Sequence, residues 1–204
     1  MLKLIRLLGI LFTVSLLACS HLTSHSPDPY ARTLKYPVYI DNAFTNAQKD
    51  QIKDALVMWN KTFNGYQEFY VADDKWTPNM VEEDGEEIIL NQREGFRIIR
   101  MAPTSTQEGV LGWVNDLGDE VVHLVPERCE AYGGEDGLRI VATHEIGHSL
   151  GIPHNSVEGA TLFPYYTNQL PADDGKCIDY FAALQLSKVN SRFKLEHLNF
   201  CPPR

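Results

Sequence analysis

The stretch His144-Glu145-Ile146-Gly147-His148-Ser149-Leu150-Gly151-Ile152-Pro153-His154 decides how this chain is read. Leu138, Ile140, Val141 and Ala142 stand before it and supply an apolar helical face, which predicts a helix over Leu138 to Leu150. Histidines four apart on a helix lie on one face, one above the other, so both imidazoles reach a single metal ion at about 2.0–2.1 Å. Glu145 is rotated by about 100° from His144, close to that ion without bonding it. A carboxylate there can accept a proton from a water beside the metal. Gly151 ends the helix in a left-handed conformation that other residues resist. Pro153 stiffens the returning chain, and His154 arrives as a third ligand. Three histidines and one open position suit catalytic zinc, whereas structural zinc is closed by four ligands. The five-residue part arises by accident in about 2% of chains of this composition, the eleven-residue version in only a few per 100,000.

The eleven residues read HExxHxxGxxH, the zinc-binding signature of the metzincin metallopeptidases, and the surrounding chain resembles their matrixin-like members. The resemblance runs over roughly residues 35–190 but is specific only at 144–166. It implies an α+β (mixed) fold, a metzincin-like zincin catalytic domain with a twisted sheet of four to five strands, an active-site helix and a C-terminal helix. It implies one catalytic Zn2+ held by His144, His148 and His154, with Glu145 as general base. Gly109, Val110, Leu111, Gly112 and Trp113 resemble the edge strand above the cleft, which pairs with an extended substrate. Tyr166 matches the pocket-wall position. Leu162 stands where the family's Met-turn methionine is expected, and no Met follows Met101. Leucine is a near-isosteric apolar replacement, so a slightly altered floor beneath the metal is expected with activity kept. His123 falls near a structural-zinc ligand of the matrixins, but no partners for it are evident, and it is read as a packed or exposed strand residue.

Function then follows as an expectation. The chain should be a zinc-dependent endopeptidase hydrolysing extended polypeptides with metal-activated water and a Glu base. Two other readings compete. One is a zinc-binding lipoprotein without turnover, an adhesin or binding module, for which Leu162 is the only support. The other is a structural lipoprotein using an acidic face, which leaves the eleven-residue coincidence unexplained.

Composition narrows the rest. The 204 residues are 44% hydrophobic and 22% charged, with a formal net charge of −9, so no phosphate-binding surface and no nucleic-acid partner are expected. A monomer is the economical expectation. The acidic run Glu82 to Glu87 invites Ca2+, but it lacks a recognisable calcium-loop pattern and is read as a solvated loop within a connector over 73–87.

Residues 1–18 carry Lys3 and Arg6 ahead of an apolar stretch too short to span a bilayer stably, the layout of a signal peptide. Leu16-Leu17-Ala18-Cys19 resembles a bacterial lipobox, which implies lipidation of Cys19, a membrane surface as partner and export to the envelope. Ser20 after the cysteine implies the outer membrane. Residues 19–34 read as a polar tether and 35–204 as the catalytic domain. Loss of Lys3 and Arg6 with the leader takes the charge from −9 to −11.

Within the domain, strands are expected at Tyr36–Ile40, Tyr66–Ala72, Phe96–Met101, Gly109–Val114 and Val121–Val125. Thr45 with Gln48 forms a capping box for a helix whose apolar side is Ile52, Leu56, Trp59 and Phe63, stopped at Asn64-Gly65. A last helix is expected from Asp173, with Asp173 and Asp174 at its N-terminal dipole, to about Val189. Cys129, Cys177 and Cys201 remain for one disulfide, and the three pairings stay open.

Overall fold

The computed structural model describes residues 33–83, 86–106, 108–164 and 177–201. The leader over 1–18, Cys19, most of the tether and Tyr166 lie outside the described residues. Among those described, no helix is long and apolar enough to cross a membrane.

The chain opens with β1 (Leu34–Asp41) and α1 (Asn46–Phe63). The capping box at the start of α1 forms as expected. Thr45 Oγ1 accepts from the Gln48 N–H, and Gln48 Oε1 accepts from the Thr45 N–H. Asn64 ends the helix in the left-handed region at φ 50°. Next come β2 (Gln67–Trp76), β3 (Met80–Glu83), β4 (Glu86–Ile89) and β5 (Phe96–Arg100). The acidic connector expected as a loop is instead an extension of β2 followed by the antiparallel β3–β4 hairpin. Its alternation was hidden by the carboxylates, while Met80 and Ile89 give it an apolar side that packs on the sheet.

After β6 (Gly112–Trp113) and β7 (Val121–Leu124) come three helices, α2 (Pro126–Gly133), α3 (Gly137–Ser149) and α4 (Tyr180–Val189). The five-stranded sheet runs β2-β1-β5-β7-β6. Its first four strands are parallel, and β6 closes the edge antiparallel to β7. This is the mixed class expected. The edge is shorter than Gly109–Val114: the Leu111 carbonyl still bonds the chain just beyond β7, but the Val110 carbonyl is taken by the Arg128 side chain.

Period-two alternation sorts the strands between two layers. Val38, Ile40, Phe96, Ile98, Val122 and Leu124 face the main core with α1, α3 and α4. Tyr39, Ile99 and Val121 face the smaller core capped by the hairpin. The helix over Pro126–Gly133 was not foreseen, since its few apolar positions leave little periodicity. The last helix starts seven residues later than expected. Asp179 is its N-cap, accepting from the Phe181 and Ala182 N–H groups at 2.8 and 3.1 Å. Asp173 and Asp174 lie outside the described residues. Cys177 pairs with Cys201, and Cys129 is a buried free thiol.

Candidate active site

Helix α3 is anchored before it reaches the site. Trp59 of α1 donates its indole N–H to the Thr143 carbonyl at 3.0 Å, fixing the turn that carries His144. Gly147 lets the helix lie close on its neighbours. A Cβ there would stand 3.0 Å from a methyl of Leu162 and 3.2 Å from the Trp59 ring. Leu162 is fully buried and packs its methyl groups against Gly147 of the helix.

The end of α3 is set by Gly151, at φ +85°. Its N–H bonds to the His148 carbonyl at 2.8 Å, and the Ile152 N–H reaches back to Gly147 at 3.0 Å, a Schellman closure. The chain therefore reverses where the glycine requires it, and Pro153 and His154 return over the helix.

The three imidazoles meet there. Nε2 of His144 lies 2.9 Å from Nε2 of His148 and 3.3 Å from that of His154, and the last pair is 3.1 Å apart. Two of the rings are oriented by backbone. Nδ1–H of His144 donates to the Thr161 carbonyl at 2.7 Å, and Nδ1–H of His148 to the Ile152 carbonyl at 2.8 Å. In a neutral ring that leaves Nε2 as a bare lone pair, so the 2.9 Å contact between His144 and His148 is not a hydrogen bond. Facing lone pairs repel unless a cation lies between them. A tetrahedral ion bonded at 2.0–2.1 Å needs nitrogens about 3.3 Å apart, which this trio nearly matches. The residues therefore fit a zinc ion. Among the described residues they are the one such grouping of His, Cys, Asp or Glu.

Burial tunes the titrating groups. It holds His144 down at about 3, with His148 the next contributor, and it also lowers His148. Both rings are thus neutral and ready to bind metal. Glu145, one residue along and 6% exposed, is raised by burial to about 8. A cation on the three imidazoles acts in the opposite direction, because positive charge favours the carboxylate.

Glu145 and the histidines line a cleft of about 880 Å³. Gly109, Val110, Leu111, Gly112 and Trp113 form one wall, and Thr161, Phe163 and Pro164 also line the cleft. Only Gly112 and Trp113 of that first wall pair as a strand. The Leu111 carbonyl accepts from the Val125 N–H at 2.8 Å, and the Val110 carbonyl from the Arg128 guanidinium at 2.9 Å. Arg128 also reaches the Pro103 and Thr106 carbonyls, so it pins the whole segment entering the cleft. Reading the sequence missed Arg128, Thr161 and Ile152, because a residue that works through backbone carbonyls leaves no pattern of residue types.

His123 is buried and stacked on Trp113, with ring centroids 4.5 Å apart and planes within 4°. Its burial decides between the packed and exposed readings in favour of the packed one.

The sequence profile of the matrixin family matches residues 30–181. Karilysin of Tannerella forsythia is 28% identical over 153 residues, covering 70% of this chain and 30% of karilysin. Human matrix metalloproteinase-26 is 29% identical over 164 residues, covering 70% of this chain and 54% of that protein. Matrix metalloproteinase-18 of Xenopus laevis is 47% identical over 49 residues, which is 21% of this chain and 10% of the relative. The chain thus spans about half, or less, of the length of these relatives. Among solved structures, metalloproteinase-II from Bacteroides fragilis superposes with a TM-score of 0.50 at 12% identity. That match covers 83% of this chain and 58% of the other, and it speaks for the fold.

Proposed function

The chain belongs to the matrixin family, and from that premise we propose that it is a zinc-dependent endopeptidase acting on extended polypeptides. The observation that carries the reading is the convergence of three Nε2 atoms within 3.3 Å beside Glu145, in a cleft also lined by a sheet edge. His144, His148 and His154 would hold the zinc, which when bound supplies a Lewis acid for the attacking water and the scissile carbonyl.

The chain's own residues do the remainder. The Gly109–Trp113 segment offers backbone groups to a peptide laid along it, a mode that selects extended chain over compact ligands. Glu145 accepts a proton from water as its oxygen bonds the carbonyl carbon. The same carboxyl then delivers that proton to the amide nitrogen, and the C–N bond breaks with the amine as leaving group. Leu162 keeps the floor apolar, and the Thr161 and Ile152 carbonyls hold two imidazoles in the binding tautomer.

We further propose export and lipidation at Cys19, on the strength of the leader and lipobox in residues 1–19. Mass analysis of the mature N-terminus, beside Cys19→Ser, tests that reading separately.

Activity is tested by cleavage of a generic unfolded protein, with zinc quantified, beside Glu145→Ala. The expected result is cleavage abolished by the substitution and by chelation, with zinc retained in the variant. Stoichiometric zinc without cleavage in the parent chain would favour the binding-module reading, and no bound zinc would overturn the site.

A further inference from the structure

Asp179 is buried, and its carboxylate uses both of its oxygens. Oδ1 caps α4 by accepting from the Phe181 and Ala182 N–H groups. Oδ2 accepts from the Thr161 N–H at 2.6 Å, across 18 residues of sequence. Thr161 is the residue whose carbonyl holds Nδ1–H of His144 at 2.7 Å. Its own hydroxyl has no hydrogen-bond partner and sits buried, so its polar hold on the surroundings is through backbone alone.

Asp179 is itself fixed from behind. Its backbone bridges to Cys201, the Cys201 N–H donates to the Ile178 carbonyl at 2.8 Å, and Cys177 is bonded to Cys201. A rigid path therefore runs from the C-terminal disulfide, through Asp179 and Thr161, to the imidazole of His144.

We infer that Asp179 is a positioning residue for the metal ligand His144, acting through the backbone of Thr161; the inference rests on the zinc reading above. A helix cap alone needs one oxygen, and Ser supplies it as well as Asp does. Holding Thr161 at the same time needs a second acceptor on the same side chain, which a carboxylate has and a hydroxyl at that reach lacks. Bonds from an ionised acceptor are also the shorter and stronger kind, in keeping with 2.6 Å. Groups that orient a metal-binding imidazole from behind typically change metal affinity by about 10–100-fold when lost.

The test is Asp179→Ser in the full chain, which keeps the cap and removes the link to Thr161. Zinc affinity is read by competition with a chelator, and unfolding is followed in the metal-free protein. The expected result is a folded protein somewhat less stable than the parent, since the buried Thr161 N–H loses its acceptor, with zinc bound about 10–100-fold more weakly. Parental zinc affinity in Asp179→Ser would overturn the inference, while absence of zinc binding in the parent would instead sink the functional reading. A measurement on the unmutated chain guards against a variant that fails to fold. If Asp179 couples the two ends, zinc binding must slow amide exchange at Phe181 and Ala182 as well as at Thr161. Slowing at Thr161 with none at Phe181 and Ala182 would reject the coupling.

Discussion

Nδ1 of His148 lies 2.8 Å from the carbonyl oxygen of Ile152, so the turn that terminates α3 also orients an imidazole carried by its last turn. The helix stop and the site are one piece of structure. Ile152 occupies that place because Gly151 adopts φ +85° and because the Ile152 side chain is fully buried.

Gly151→Ala should therefore cost more than a surface substitution. The left-handed conformation disfavours any Cβ by about 1 kcal/mol, although among the described residues the only neighbour it would meet is a Val189 methyl, at 3.8 Å. Relaxing that strain would move the Ile152 carbonyl off the His148 ring. The expected outcome is a modest loss of stability with a disproportionate loss of zinc affinity, checked by unfolding and chelator competition on one preparation. Equal, small losses in both would show that the turn and the ligand are independent.

Leu162 should tolerate the methionine its family resemblance implies. Leu162→Met conserves volume and is expected to cost less than about 1.5 kcal/mol, with zinc binding kept. Leu162→Ala opens a cavity against Gly147 and Trp59 and should cost about 2–5 kcal/mol. Urea unfolding of the metal-free variants measures both, and a neutral alanine variant would contradict the packing described.

His123 gives stability a specific pH dependence. Burial lowers its pKa to about 4 in the fold, against about 6.5 in the unfolded chain. Between those values the unfolded state takes up a proton that the native state refuses. Its contribution is thus complete above pH 6.5, falls as pH drops through the window, and levels off below about 4. Relative to a His123→Gln variant, the parent should lose about 3 kcal/mol more stability from pH 7 to pH 4. Comparing the two metal-free proteins by urea unfolding cancels the contributions of His144 and His148. Parallel pH curves would show that the ring is protonated without penalty.

The cysteines should divide by reactivity. Burial pushes the Cys129 thiol up to about 12, with the neighbouring Glu145 adding to the effect, so the native protein should resist alkylation there until it unfolds. Cys177 and Cys201, 24 residues apart, close a loop whose removal should cost about 3 kcal/mol. Peptide mapping after alkylation, with and without denaturant and reductant, separates the three sites. Labelling of native Cys129 at the rate of a free thiol would refute its burial.

What the chain determines unaided is local and periodic. HEIGHSLGIPH places two histidines on one helical face, stops the helix at a glycine and returns a third histidine, all within eleven consecutive residues. The Thr45–Gln48 box and the Ile52, Leu56, Trp59, Phe63 side are likewise legible, because their partners lie three or four residues away. The hairpin under the sheet was obscured because its carboxylates masked the two-residue period, and the start of α4 was misread because the residue types at 173, 174 and 179 are the same. Tertiary structure decided which aspartate caps that helix, which cysteines pair, and which backbone carbonyls hold His144 and His148. Each of these depends on groups brought together across distant sequence. A carbonyl is carried by every residue alike, so only the packed fold distinguishes Thr161 and Ile152 from their neighbours.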